Sequence, residues 1–99
     1  MTPATPDISV QLNYRPLGLV SARTRNLRLD GIFVDTGAVT LPHQSEVEVT
    51  LSFRKDDRLQ VHRLRARVMG RSKYGTNLTF QNCGRETYQA LRDLLAQRH

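Results

Sequence analysis

Apolar and polar residues alternate along most of this chain, which predicts β-strands with one face buried and the other in water. The alternation is strict in residues 8–14 and again in residues 46–53. Shorter stretches predict further strands at about 19–25, 31–36 and 76–81. Residues that favour turns separate the strands, namely Arg15-Pro16-Leu17-Gly18, Lys55-Asp56-Asp57 and Tyr74-Gly75.

The phase of the alternation changes within residues 58–68. Leu59 and Val61 fall on one face of the predicted strand, whereas the apolar residues from Leu64 onward fall on the other. A β-bulge adds one residue to a strand and thereby exchanges its two faces. The sequence therefore predicts a bulge or a strong local twist near His62-Arg63.

The last part of the chain follows the period of a helix. Tyr88, Leu91, Leu94 and Leu95 recur at helical spacing, with polar residues on the other side. This pattern predicts an amphipathic α-helix at about 85–97. We expect its face with Tyr88, Leu91 and Leu95 to pack against the sheet.

Strands without alternating helices indicate an antiparallel all-β sheet or barrel, and the terminal helix would cover one open end or face of it. The chain has 99 residues, which is enough for one modest core. We therefore predict a single domain over residues 8–99, preceded by a flexible N-terminal tail at residues 1–7.

The composition indicates the class of binding partner and the cellular compartment of the protein. A net charge of +6, with a sequence pI near 10.4, favours anionic partners such as nucleotides, nucleic acid, acidic proteins or anionic membranes. Cys83 is the only cysteine, so no internal disulfide can form, which suits a reducing compartment. No apolar run approaches the ~20 residues of a membrane span. These features predict a cytoplasmic protein without a membrane span.

The sequence offers little for catalysis or metal binding. His43, His62 and His99 are scattered, and no cysteine or acidic cluster accompanies them at the spacing of a zinc site. The sequence contains no catalytic-triad pattern, no motif with paired carboxylates and no P-loop. We expect no enzymatic activity, no metal and no cofactor.

One short segment carries a motif, Asn26-Leu27-Arg28-Leu29-Asp30-Gly31, and an apolar strand pattern follows it. The segment resembles the second ligand motif of PilZ domains, [DN]-x-S-x-x-G, with Arg28 at the position of the serine. PilZ domains are bacterial receptors and adaptors of cyclic di-GMP signalling. The order of the later segments is also similar to that family, which implies a six-stranded antiparallel β-barrel with a C-terminal α-helix.

The resemblance also implies a ligand site. Cyclic di-GMP is a dianion with two guanines, and arginine can grip phosphate, bind a guanine edge and stack on a base. In PilZ receptors this work is shared between an R-x-x-x-R segment before the first strand and the motif turn. By this resemblance Asn26, Arg28 and Gly31 form the site if the ligand binds.

The R-x-x-x-R segment is absent from this sequence. Residues 1–7 contain no basic residue, and no two arginines stand four residues apart before Asn26. Arg28 either fills the guanine pocket or supplies a contact of its own. The candidate substitutes for the missing arginines are Arg15, Arg23 and Arg25.

Three functions compete. We favour a PilZ-like regulatory or adaptor module that acts mainly by binding a protein partner, in motility, type IV pilus or biofilm control. The second is a true cyclic di-GMP receptor that uses substitute arginines. The third is a small basic barrel that binds nucleic acid. Such barrels usually present aromatic stacking platforms, and this chain has only three Phe and three Tyr, so the third function is disfavoured.

Overall fold

The computed structural model describes residues 8–55, 57–81 and 83–96. They form six β-strands followed by one α-helix. The predicted flexible tail, residues 1–7, lies outside the described residues and stays a prediction. The elements are β1 Ser9–Tyr14, β2 Gly18–Leu27, β3 Gly31–Asp35, β4 Glu46–Lys55, β5 Arg58–Ser72, β6 Gly75–Gln81 and α1 Arg85–Ala96.

The strands form a closed barrel in the order β1-β2-β3-β6-β5-β4, and every neighbouring pair is antiparallel. Closure follows from β1, which pairs with β2 on one side and with β4 on the other. The predicted six-stranded antiparallel barrel with a C-terminal helix is therefore confirmed.

The interior of the barrel is filled by the side chains that the alternation predicts. Val47, Val49, Leu51 and Phe53 of β4 are all buried. Burying a side chain of this kind contributes about 1.5–3 kcal/mol, so each strand is held mainly through its inward face. Apolar side chains from outside the sheet complete the core, namely Leu41 of the β3–β4 loop and Leu91 and Leu94 of α1.

The helix lies where the sequence predicts it, and Leu91 and Leu95 of the predicted face pack against the core. Ala90, Leu91 and Leu94 are buried, whereas Tyr88 is 42% exposed, so the expectation that Tyr88 packs on the barrel is wrong. The helix turns Thr87 toward β5 instead. There Thr87 Oγ1 lies 3.2 Å from Nδ1 of His62, within hydrogen-bond distance.

The predicted bulge near His62-Arg63 is also wrong. The register between β4 and β5 runs without a shift from Glu46 opposite Arg67 to Lys55 opposite Arg58. Leu59 and Val61 stand on the outer face and are 65% and 51% exposed.

In the first residues of β5, the side chains that point into the barrel are polar. Gln60 and His62 are half-buried, and the His62 ring stacks on Phe53 with 5.7 Å between ring centroids. The sequence pattern failed here because a polar residue can replace an apolar one wherever it has a partner, and α1 supplies that partner through Thr87.

Candidate ligand-binding site

The motif begins at an irregularity in β2. Thr24 pairs with Val34 and Asn26 pairs with Phe33, so Arg25 is one extra residue and forms a β-bulge. Because of the bulge, Arg25 and Asn26 are both exposed, and Leu27 returns to the core. The bulge therefore places Asn26, the first residue of the motif, on the outer face of the barrel.

The turn between β2 and β3 is fixed by backbone hydrogen bonds. The Arg28 amide donates to the Gly31 carbonyl over 2.8 Å, which closes the turn. The Phe80 amide donates to the Asp30 carbonyl, also over 2.8 Å, and ties the turn to β6. Leu27 and Ile32, on either side of the turn, are buried. The turn is thus held by one bond within it, by one bond to β6 and by the two buried residues that flank it.

Gly31 is required by a close approach and not by an unusual backbone angle. It is absent from the glycines that have a positive φ, which are Gly18, Gly37 and Gly75. A Cβ at Gly31 would collide with the carbonyl oxygen of Leu78 on β6 and would lie 2.7 Å from Nη2 of Arg28. Close packing against β6 is therefore the reason for a glycine at this position.

Arg28 lies directly over this glycine. Its Nη2 donates a hydrogen bond of 2.9 Å to Oδ1 of Asn77, and its Nε donates one of 3.2 Å to Oδ1 of Asp30. The side chain therefore crosses β3 and reaches β6. Sequence reasoning missed Asn77, because nothing in a local pattern relates it to Arg28.

Asn77 belongs to a row of residues on the outer face. Asn26 on β2 lies opposite Phe33 on β3, which lies opposite Asn77 on β6, which lies opposite Gly70 on β5. The Phe33 ring is half-buried because it covers Gly75, where a Cβ would lie 3.0 Å from its Cζ. Asn26, Phe33 and Asn77 therefore form one continuous stretch of the outer face beside the motif turn.

The comparison with protein families decides the identity. The family model of the PilZ domain matches residues 4–97, nearly the whole chain. The chain belongs to the PilZ domain family. Members of this family bind cyclic di-GMP, often contact partner proteins and are typically non-enzymatic. Among curated proteins no match is found.

Two of the predicted substitute arginines in this PilZ domain lie near an acid. Nη2 of Arg25 lies 3.3 Å from Oδ2 of Asp35, and the exposed Arg23 pairs in register with the same residue. The Gly37 amide also donates to Oδ1 of Asp35 over 2.8 Å. This hydrogen bond, together with Arg25, lowers the pKa of Asp35 below its usual value of 3.8. Asp35 thus stays ionised and partly neutralises the cations.

The third candidate, Arg15, lies at the other end of the barrel. It belongs to the β1–β2 turn, and β2 runs for 10 residues from that turn to the motif. At ~3.3 Å per residue this separates Arg15 from Arg28 by roughly 30 Å. The PilZ barrel therefore does not bring the four predicted arginines into one site.

A groove of about 570 Å³ lies elsewhere, between β5 and α1. Its lining includes Val61, His62 and Gln89, and it contains no residue of the motif. Among residues 8–55, 57–81 and 83–96, no group of three or more His, Cys, Asp or Glu residues could hold a metal ion. Within those same ranges, no helix is long and apolar enough to cross a membrane.

Proposed function

We propose that this PilZ domain is a non-enzymatic adaptor of bacterial cyclic di-GMP signalling that acts mainly through a protein partner, because Arg28 covers the motif glycine. The observation that carries the proposal is the guanidinium of Arg28 seated over Gly31 and bonded to Asn77. The module works in the cytoplasm, in control of motility, type IV pili or biofilm formation.

The position of Arg28 opposes ligand binding sterically. The family motif has a serine there, and its short hydroxyl leaves the surface over the glycine open. A guanine that approached Gly31 would first have to displace the guanidinium and break its bonds to Asn77 and Asp30. A hydrogen bond to a charged group contributes about 1.5–3 kcal/mol, and the exposed pair with Asp30 adds at most ~1 kcal/mol. Displacement therefore lowers affinity by roughly tenfold or more.

Few other cations are available to bind the phosphates of the ligand. The R-x-x-x-R segment is absent from the sequence, Arg25 is occupied by Asp35, and Arg15 lies at the other end of β2. Each missing charge-assisted contact costs about 1.5–3 kcal/mol of binding free energy. Weak nucleotide binding leaves protein contact as the main activity of the module.

Calorimetric titration with cyclic di-GMP tests the proposal. The wild-type protein should bind no tighter than the high-micromolar range, and Arg28→Ser should improve or create binding that stays weak. Arg54→Ser is the matched control, because it removes an exposed arginine of β4, a strand that is not adjacent to β2 or β3. Low-micromolar or tighter binding by the wild type that is lost on Arg28→Ser would instead establish a receptor in which Arg28 is a ligand contact.

The nucleic-acid alternative gains no support from the positions of the aromatic residues. The two exposed tyrosines lie far apart, Tyr74 in the β5–β6 turn and Tyr88 on α1. Phe53 is buried in the core, and Phe33 covers Gly75. A stacking platform requires neighbouring exposed rings along one groove, and this arrangement does not supply them.

A further inference from the structure

Three connections meet at the end of the barrel opposite α1. Because neighbouring strands are antiparallel, the β1–β2, β3–β4 and β5–β6 connections share one end, whereas the β2–β3 turn lies at the other end with α1. We call the surface formed by residues 15–17, 36–45 and 71–75 the loop end.

Each connection of the loop end exposes an apolar or aromatic residue near its tip. Leu17 and Tyr74 are 58% and 59% exposed, and Val39 is 36% exposed. Leu19, beside the first turn, is exposed as well. An exposed apolar side chain is ordinary by itself, but one on each of three neighbouring tips forms a pattern that the fold does not require.

The charges of the loop end have one sign. It carries Arg15, Arg71 and Lys73, and its residues include no Asp or Glu. The acids that flank it in sequence are paired, Asp35 with Arg25 and Glu46 with Arg67. Glu48 shares a groove with Arg15 beside this end. The helix end differs, because acidic residues accompany its arginines at Asp30, Asp57, Glu86 and Asp93.

The tips are held in place by the barrel. Leu41 is fully buried and anchors the β3–β4 loop in the core. The Gln44 amide donates to the Val68 carbonyl over 2.6 Å, and Oγ1 of Thr36 donates to the Val39 carbonyl over 2.7 Å. A surface that is already ordered loses little conformational entropy when it binds.

A small cleft opens between the β3–β4 loop and the β5–β6 turn. Its volume is about 190 Å³, and its lining combines Arg71 and Lys73 with the hydroxyl residues Thr40 and Ser72. Asp35 also lines it, with its carboxylate bonded to the Gly37 amide and to Arg25. Cations and hydroxyl donors around a cleft of this size suit a phosphate group.

We propose that the loop end binds the surface of an anionic phospholipid bilayer. The cations would face the lipid phosphates, and Leu17, Val39 and Tyr74 would enter the interfacial region, where tyrosine is favoured. A bilayer is favoured over an acidic protein because the exposed apolar groups stand on three separate connections. A protein partner would need a matching rigid surface, whereas a bilayer adapts to the tips.

The strength of this binding follows from the number of cations. Each Lys or Arg close to an anionic bilayer raises the partition coefficient about fivefold, so three cations give roughly a hundredfold preference over a neutral bilayer. Binding should therefore be reversible and should fall as salt is added, because surface charges are screened. This inference does not depend on Arg28, which lies at the helix end.

Co-sedimentation with vesicles tests the proposal. The protein should bind vesicles of phosphatidylglycerol mixed with phosphatidylcholine, and it should bind vesicles of phosphatidylcholine alone far more weakly. The double variant Arg71→Ser/Lys73→Ser should lower the partition coefficient by roughly 25-fold. The matched control is Arg63→Ser/Arg65→Ser, which removes the same charge from the side of the barrel and should have a small effect.

A fluorescent reporter gives an independent readout. The chain contains no tryptophan, so Tyr74→Trp introduces a single one at a loop tip. Its emission should shift to the blue when anionic vesicles are added, because the ring leaves water. Tyr88→Trp, an exposed position on α1, should show no shift.

Three outcomes would overturn the proposal. The first is an absence of binding to anionic vesicles, and the second is an equal loss of binding in the Arg63/Arg65 control. The third is an unchanged emission of the Tyr74→Trp protein in the presence of vesicles. Binding to soluble polyglutamate that Arg71→Ser/Lys73→Ser abolishes, without any binding to vesicles, would assign the surface to an acidic protein.

Discussion

Oδ1 of Asn77 accepts a hydrogen bond of 2.9 Å from Nη2 of Arg28, a residue 49 positions earlier in the chain. This bond joins the motif turn to β6 and holds the guanidinium over Gly31. An arginine at the serine position would be a mobile side chain on an open turn without such a partner. The effect of Arg28 on the site therefore depends on Asn77 as well as on Arg28 itself.

Asn77→Ala should release Arg28 and partly expose the surface over Gly31. Because a hydrogen bond to a charged group contributes about 1.5–3 kcal/mol, cyclic di-GMP affinity should rise by roughly tenfold or more, but by less than in Arg28→Ser. Calorimetry of the two single variants and of the double variant measures this. The two effects should not add, because both act through one guanidinium.

Asn13→Ala is the control for that experiment, since Asn13 is exposed on β1 at a distance from the motif. It should leave affinity unchanged. If the effects of Arg28→Ser and Asn77→Ala are fully additive, the bond between the two side chains does not position Arg28.

Gly31→Ala should destabilise the barrel. The new methyl group would collide with the Leu78 carbonyl and the Arg28 guanidinium, so β3 and β6 would have to separate locally. Overpacking of this kind costs about 1–3 kcal/mol, which urea unfolding can measure. Gly70→Ala is the matched control, because a Cβ there would meet no atom within 4 Å. Equal destabilisation by both substitutions would contradict the close-packing role of Gly31.

Leu91→Ala should destabilise the protein clearly, because Leu91 is buried between α1 and the barrel. Truncation of a buried leucine costs about 2–5 kcal/mol, which corresponds to a fall in Tm of about 10 °C or more in a domain of this size. Arg92→Ala, on the exposed side of the helix, should change Tm little.

Tyr88→Ala separates the predicted helix face from the observed one. Because Tyr88 is exposed, this substitution should cost less than about 1 kcal/mol. A loss comparable to that of Leu91→Ala, measured by the same thermal unfolding, would mean that Tyr88 packs on the barrel in solution.

Asp35 should make stability depend on pH in the acid range. Its pKa is lowered by the Gly37 amide and by Arg25, so the ionised carboxylate stabilises the folded state. This contribution is present above the usual pKa of 3.8 and is lost as the pH falls through the lower, folded-state pKa.

Asp35→Asn keeps an acceptor for the Gly37 amide and removes the charge. The free energy of unfolding of this variant should therefore fall less steeply than that of the wild type below about pH 4. Urea unfolding at a series of pH values measures the two slopes. Identical slopes would show that Asp35 has no part in the acid sensitivity.

The sequence by itself determined the elements of this protein and their order. Strict alternation placed β1 and β4, and the change to helical spacing placed α1, because each period follows from backbone geometry alone. The motif turn could be located as well, since Asn26 and Gly31 stand at fixed local spacing. The family match then covers nearly the whole chain.

Only the tertiary structure decided how those elements face one another. Leu59 and Val61 face solvent, against the expected pattern, because α1 provides a hydrogen-bond partner for the inward-facing His62. The position of α1 on the barrel cannot be inferred from the local sequence of β5. Asn77 could not be connected with Arg28 because their contact depends on the register between β3 and β6. Local spacing fixes a period, whereas contacts between distant residues exist only after the barrel has closed.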